Sequence, residues 1–315
     1  MPSLSTALSY ALLAIPLYLF LGVPLQTLVS PAPRRVAPLL RKTDALSVPD
    51  PYLQCPEHGY QVRVVHREPL VVYVKGFLSE PERAGLLSAA SEFSPSPLTS
   101  GSETALNTAI RNSSRATLPR SDMVRCIEAR AAALQGERLD VFVEKLWLQR
   151  YEPGGHYAHH FDWSGDLRAR GAGRVGSFMV WVREPAAGGG TDFPRLRHPG
   201  RQGGWCGFVE CGDGEEEGLG MGEEEVGVTF KPVAGNAVYW ENFAADGTGY
   251  EETWHAGLPV TEGVKIGLNI WSWYQPGYTE LLLREAQAAG TAGTDGEAGG
   301  SGEEMRDRKA GEGEL

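Results

Sequence analysis

The chain has 315 residues, with 40 acidic against 29 basic side chains and a formal charge of −11. That length allows one or two domains with a sizeable core. The charge balance leaves no basic track for a nucleic-acid backbone, and four cysteines are too few for a disulfide-built scaffold.

Residues 1–33 contain no Asp, Glu, Lys or Arg, and 8–29 is rich in Leu, Ala, Tyr and Val. That is about the length of ~20 residues that a helix needs to cross a bilayer. The segment reads as a membrane anchor. A cleaved signal peptide is the rival, disfavoured by the missing basic start. The cations Arg34, Arg35, Arg41 and Lys42 follow the span, which by the positive-inside tendency argues for a cytosolic domain. The sequon Asn112-Ser113-Ser114 argues for a lumen instead.

Residues 34–56 are proline-rich and read as a linker. In the support region, 57–141, residues 60–73 alternate in strand fashion, most densely at 70–74. Ser79 as N-cap, Pro81 and Glu82 in the first turn, and Leu86 and Leu87 as an apolar face predict a helix. A second helix is expected over 121–134. Cys206 and Cys211 are near enough in sequence to bridge in an oxidising compartment, or to stand as free thiols.

From 142 onward short strands alternate with turns. Strands are expected at 142–151, 157–162, 175–182, 191–193, 226–231, 237–240, 253–259 and 265–273. That number fits a double-stranded β-helix, or jelly roll, so the predicted class is mainly β with flanking helices (α+β). The domain spans 142–278, carries an acidic insertion at 195–225, and is followed by an acidic tail, 279–315, expected to be disordered. Residues 212–225 hold a net −7 and the tail a net −5, which leaves the remainder near +1. The acidity belongs to these segments, and the domain itself is nearly neutral.

Within this domain His160-Phe161-Asp162 places two metal ligands at i and i+2, one face of a strand. His255 is the best third ligand. Two imidazoles and one carboxylate form the facial triad of non-haem Fe(II) oxygenases, with open positions for cosubstrate and dioxygen. Of the adjacent imidazoles His159 and His160, only His160 has the carboxylate two residues on. His156 and His159 are therefore set aside, and His58, His66 and His198 are read as surface residues. Lys265 follows His255 by ten positions, an even offset that puts its ammonium on the inward face, where an anion would have to pair with it.

Taken together, Tyr151 with Gly154-Gly155 before Tyr157, then His160 and Asp162, the Gly-rich stretch 188–194, the segment 231–240, His255 and Lys265 resemble the catalytic domain of the prolyl 4-hydroxylase family. The match is to the shorter plant and fungal forms. The resemblance implies a jelly roll that uses Fe(II), 2-oxoglutarate, O2 and ascorbate to hydroxylate peptidyl proline at C4, releasing succinate and CO2. It assigns the metal to His160, Asp162 and His255, and the cosubstrate's distal carboxylate to Lys265, with Tyr151 and Thr191 donating to it and Trp271 lining the same pocket. It places Tyr157 and Arg174 at a groove for an extended proline-containing peptide. It also implies the endoplasmic reticulum membrane with a luminal domain. Peptidyl lysine or a small molecule stays open as substrate, and a non-catalytic membrane-tethered scaffold is the reading from a different class.

Overall fold

The computed structural model describes residues 43–100, 103–211 and 226–294. The expected membrane anchor at 1–33, the acidic run at 212–225 and the end of the tail lie outside the described residues. Among the described residues no helix is long and apolar enough to cross a membrane.

Two antiparallel sheets build the domain. In the larger, nine-stranded one, Gln61–Arg67, Leu70–Lys75, Ala237–Glu241, Gly173–Arg183, Lys265–Tyr274, Trp147–Tyr151, Ser114–Thr117 and Ser94–Pro95 lie side by side, and Val141–Val143 also pairs with Lys265–Tyr274. The smaller sheet runs Val226–Phe230, Thr191–Arg197, His255–Gly257, His156–His160 and Arg111–Asn112. The chain is mainly β with flanking helices, a jelly roll.

The larger sheet is buried on both faces, which explains the unbroken apolar run from Phe178 to Val182. Side chains alternate across a strand. Phe178, Val180, Val182, Tyr239 and Leu268 therefore face one core, shared with Leu86, Val124 and Ile127 of the helices. Met179, Trp181, Val238 and Trp240 face the other, shared with Phe193, Val228 and Phe230 of the smaller sheet. The helices are Glu80–Ala89 and Asp122–Leu134. Ser79 and Glu82 close a reciprocal capping box on the first, and Ser121 caps the second.

Several boundaries differ from the sequence reading. The strand expected at 142–151 is two, Val141–Val143 and Trp147–Tyr151, pairing with different stretches of Lys265–Tyr274. The tail is not irregular from its start: Tyr278–Thr294 is helical, and Tyr278 packs its ring edge-on to Phe142 at 4.9 Å. Two buried apolar anchors, Phe142 and Leu46, give this segment something to fold against, which acidic composition does not reveal. The insertion is likewise ordered at its start, where Gln202–Gly207 forms a 3-10 turn closed by the Cys206–Cys211 disulfide. A second disulfide, Cys55–Cys126, ties the linker to the Asp122–Leu134 helix. Its partners lie 71 residues apart, so no spacing rule points to it. His198, read as a surface residue, is buried and accepts from the Gly200 amide.

Candidate metal and cosubstrate site

His160 ends the strand His156–His160, and Asp162 lies just beyond it in a bend. His255 opens the neighbouring strand and stands directly opposite His160 in the antiparallel register. One ligand atom from each of His160, Asp162 and His255 lies within 4.8 Å of the others. His160 Nε2 is 3.8 Å from Asp162 Oδ1, and His255 Nε2 is 4.0 Å from Asp162 Oδ2. Asp162 and His255, 93 residues apart in sequence, thus meet because adjacent strands bring their segments together.

The imidazoles are held for this role. His160 donates Nδ1–H to the Ala158 carbonyl at 2.9 Å, and His255 donates Nδ1–H to the Thr253 carbonyl at 2.8 Å. With Nδ1 protonated, Nε2 keeps its lone pair for a cation. Burial drives the His160 pKa down to about 3, assisted by the nearby His255, and burial lowers His255 as well. Burial alone would raise Asp162, but His255, His160 and Arg174 outweigh it and hold the carboxylate low. The set is two neutral nitrogens and one anionic oxygen, the donor chemistry that suits ferrous iron. His159 turns outward to Asp192 at 2.9 Å, and His156 contacts the Gly154 and Ala109 carbonyls.

Next to the triad is a small cavity bounded by Tyr151, Thr191, Trp240, Lys265 and Asn269. Lys265 is 2% exposed. Its only hydrogen bond among the described residues runs from Nζ to the Gly189 carbonyl at 2.6 Å. Gly189 reaches that position at φ +73°, where Lys265 Cδ would stand 3.2 Å from an added Cβ. Burial without a carboxylate partner lowers the Lys265 pKa to about 7. Three further buried polar atoms facing the cavity's lining residues lack partners: Thr191 Oγ1, Asn269 Oδ1 and Trp240 Nε1. A buried cation and orphaned donors beside a metal triad fit a dianionic, chelating cosubstrate such as 2-oxoglutarate.

The even offset from His255 is not what turns Lys265 inward. His255 belongs to the smaller sheet and Lys265 to the larger, so no single strand face links them. Lys265 points inward because it pairs with Tyr151 and alternates with the outward-packed Ile266.

Of the other expected residues, Tyr151 lines this cavity, Tyr157 and Arg174 line the adjoining groove, and Trp271 lies elsewhere than expected. The Tyr151 hydroxyl donates to Gln149 Oε1 at 2.8 Å, so its proton is directed to a neighbouring side chain. Trp271 does not line the cosubstrate cavity. It lies six residues from Lys265, roughly 20 Å along an extended strand, and its Nε1 donates to Asp162 Oδ2 at 3.0 Å. Tyr157 stacks on His160 with centroids 3.7 Å apart. Arg174 lines an adjoining groove, but its fork is already engaged, with Nε and Nη2 donating to Glu144 at 2.6 and 3.1 Å. This ion pair outweighs the effect of burial and raises the Arg174 pKa. Sequence reasoning missed Asn269, although it shares a strand face with Lys265 and Trp271. It also missed Glu144, whose role depends on a strand break.

Residues 146–273 match the model of the 2OG-Fe(II) oxygenase superfamily. The match covers less than half of the chain, and the segment resembles a 2-oxoglutarate/Fe(II) oxygenase domain of that superfamily. The chain is 29% identical over 219 residues to mouse prolyl 4-hydroxylase subunit alpha-3, covering 66% of this chain and 34% of that protein. It is 30% identical over 134 residues to the rat alpha-1 subunit, covering 41% and 20%. The chain therefore spans about a third of the length of the alpha-3 relative. Among solved structures, the viral collagen prolyl hydroxylase of Paramecium Bursaria Chlorella virus-1 is similar at 24% identity and a TM-score of 0.47, covering 64% of this chain and 95% of that one.

Proposed function

We propose that the protein is a dioxygenase that hydroxylates peptidyl proline at C4. The observation that carries this reading is Lys265, a buried ammonium with no carboxylate partner, beside the triad of His160, Asp162 and His255. Iron and 2-oxoglutarate, when bound, supply the oxidising chemistry: O2 adds one oxygen atom to a substrate C–H and one to succinate, with loss of CO2. The chain's own residues supply position. His160, Asp162 and His255 would hold the ion, and Lys265 would pair with the distal carboxylate of the cosubstrate, with Thr191 donating to it. Trp271 orients Asp162, and Met179 and Trp240 help wall the cavity from water.

The peptide would lie in the groove of about 460 Å³ that opens beside His160 and Asp162, walled by Trp147, Trp163 and Trp271. Aromatic walls of this kind suit the preformed extended helix of proline-rich segments. Ascorbate dependence belongs to the same reading. So does a luminal setting in the endoplasmic reticulum, with residues 1–33 as membrane anchor. Two disulfides support an oxidising compartment, and the Asn112 side chain of the sequon is exposed.

The test is succinate release coupled to a one-oxygen mass gain on proline across a panel of proline-rich peptides. His160→Ala should abolish both. Succinate release equal to that of the variant would refute the proposal.

A further inference from the structure

Three guanidinium groups lie over aromatic rings in the groove. Arg174 stands 3.9 Å from the Trp271 ring, Arg115 stands 4.5 Å from Trp147, and Arg111 stands 4.6 Å from Tyr157. Their partners are unequal. Arg174 is neutralised by Glu144. Arg111 has no carboxylate partner: it donates to the Ser113 hydroxyl at 3.1 Å and lies beside the Tyr151 hydroxyl, and the Arg115 side chain makes no hydrogen bond or ion pair with another described residue. The groove's two carboxylates are both committed, Glu144 to Arg174 and Asp162 to the metal position.

The two cations without a carboxylate partner sit where the chain crosses between sheets. Arg111 belongs to the smaller sheet and Arg115 to the larger, and both line one groove. Each is only partly exposed. Burial, and to a lesser degree the nearby Arg111, lowers the Arg115 pKa. Two such cations stacked on rings, which fix their planes, form a receptor for one carboxylate.

We propose that the groove selects proline-containing peptides with an acidic side chain a short distance from the target proline, its carboxylate received between Arg111 and Arg115. The proposal rests on the peptidyl-proline reading and names the substrate class. Tyr157 stacks on His160 and Arg111 on Tyr157, so Arg111 lies two ring layers from the metal. At ~3.1 Å per residue in an extended proline helix, that places the acid about two to three residues from the hydroxylated position.

The experiment compares a fluorescent proline-rich peptide carrying one Glu with its Gln twin, by anisotropy on the full chain at low salt. Hydrogen bonds to a charged group predict at least about tenfold tighter binding of the Glu peptide, an advantage that shrinks with added salt. The ratio should collapse toward one in Arg115→Gln and persist in part in Arg115→Lys. Equal binding of the twins to the unmodified protein would overturn the proposal, as would an undiminished Glu advantage in Arg115→Gln. The same peptides are then assayed for oxygen gain and succinate. If none is hydroxylated, the enzymatic reading fails, while the binding ratio still decides the carboxylate receptor.

Discussion

Trp271 Nε1 donates to Asp162 Oδ2 at 3.0 Å, so the aromatic wall of the groove holds the one carboxylate of the metal triad. Outer partners of this kind orient a ligand and typically account for 10–100-fold in metal affinity. Trp271→Phe keeps the ring under Arg174 but removes the donor. It should weaken ferrous binding by about tenfold or more, measured by anaerobic titration. Unchanged affinity would mean that Asp162 is positioned by its backbone alone.

Lys265 sets a pH dependence. Burial lowers its pKa to about 7, against an ordinary 10.5. A bound diacid favours the ammonium, so above pH 7 binding must take up a proton, and affinity should fall as pH rises. The slope approaches tenfold per pH unit until the raised pKa of the complex is reached. Lys265→Met should bind 2-oxoglutarate weakly and lose this slope. The stability of the ligand-free protein runs the other way. Between pH 7 and 10.5 the unfolded chain holds the extra proton, so stability climbs with pH through that window. Denaturant titrations at pH 7 and 9 of the protein and of Lys265→Met would show the slope in the first only.

Gly189 aims its carbonyl at Lys265 Nζ from a left-handed backbone conformation. Gly189→Ala brings the steric cost of that conformation, about 1 kcal/mol, and crowds Lys265 Cδ and the Val260 side chain at 3.2 Å. The expected result is a raised KM for 2-oxoglutarate with a small loss of stability. A variant with lowered stability and an unchanged KM would separate the fold of this turn from the cosubstrate site.

The two disulfides should differ in strength. In the chain-entropy description, stabilisation grows with the enclosed loop. Cys55–Cys126 closes a separation of 71 residues and Cys206–Cys211 one of 5. Cys126→Ser should therefore cost about 4 kcal/mol and Cys211→Ser about 2 kcal/mol, read by chemical denaturation under oxidising conditions. Equal costs would mean that strain or residual structure governs both.

Much of the fold was legible because the larger sheet writes its burial into runs such as 178–182, and because Ser79 and Glu82 mark a helix start without tertiary help. The metal ligands were legible through the local pair His160 and Asp162. Their joining to His255 depends on strand pairing, which no local pattern encodes. Trp271 lines the neighbouring groove, a placement that depends on its distance along the strand from Lys265, which resemblance at one position does not give. Arg111 and Arg115 drew no attention since an isolated arginine looks like a solvated charge, and only the fold sets Tyr157 and Trp147 beneath them. The helix Tyr278–Thr294 was hidden by its acidic surroundings.

Both triad imidazoles lean on the carbonyl two residues upstream in their own segment, Ala158 for His160 and Thr253 for His255. Each ring is thus pinned by a neighbour in its own stretch of chain, independently of any occupant. Emptying the seat with a chelator should leave its shape intact, and a foreign divalent ion should drop into the same place. Loading and unloading then become a matter of exchange, decoupled from assembly of the protein.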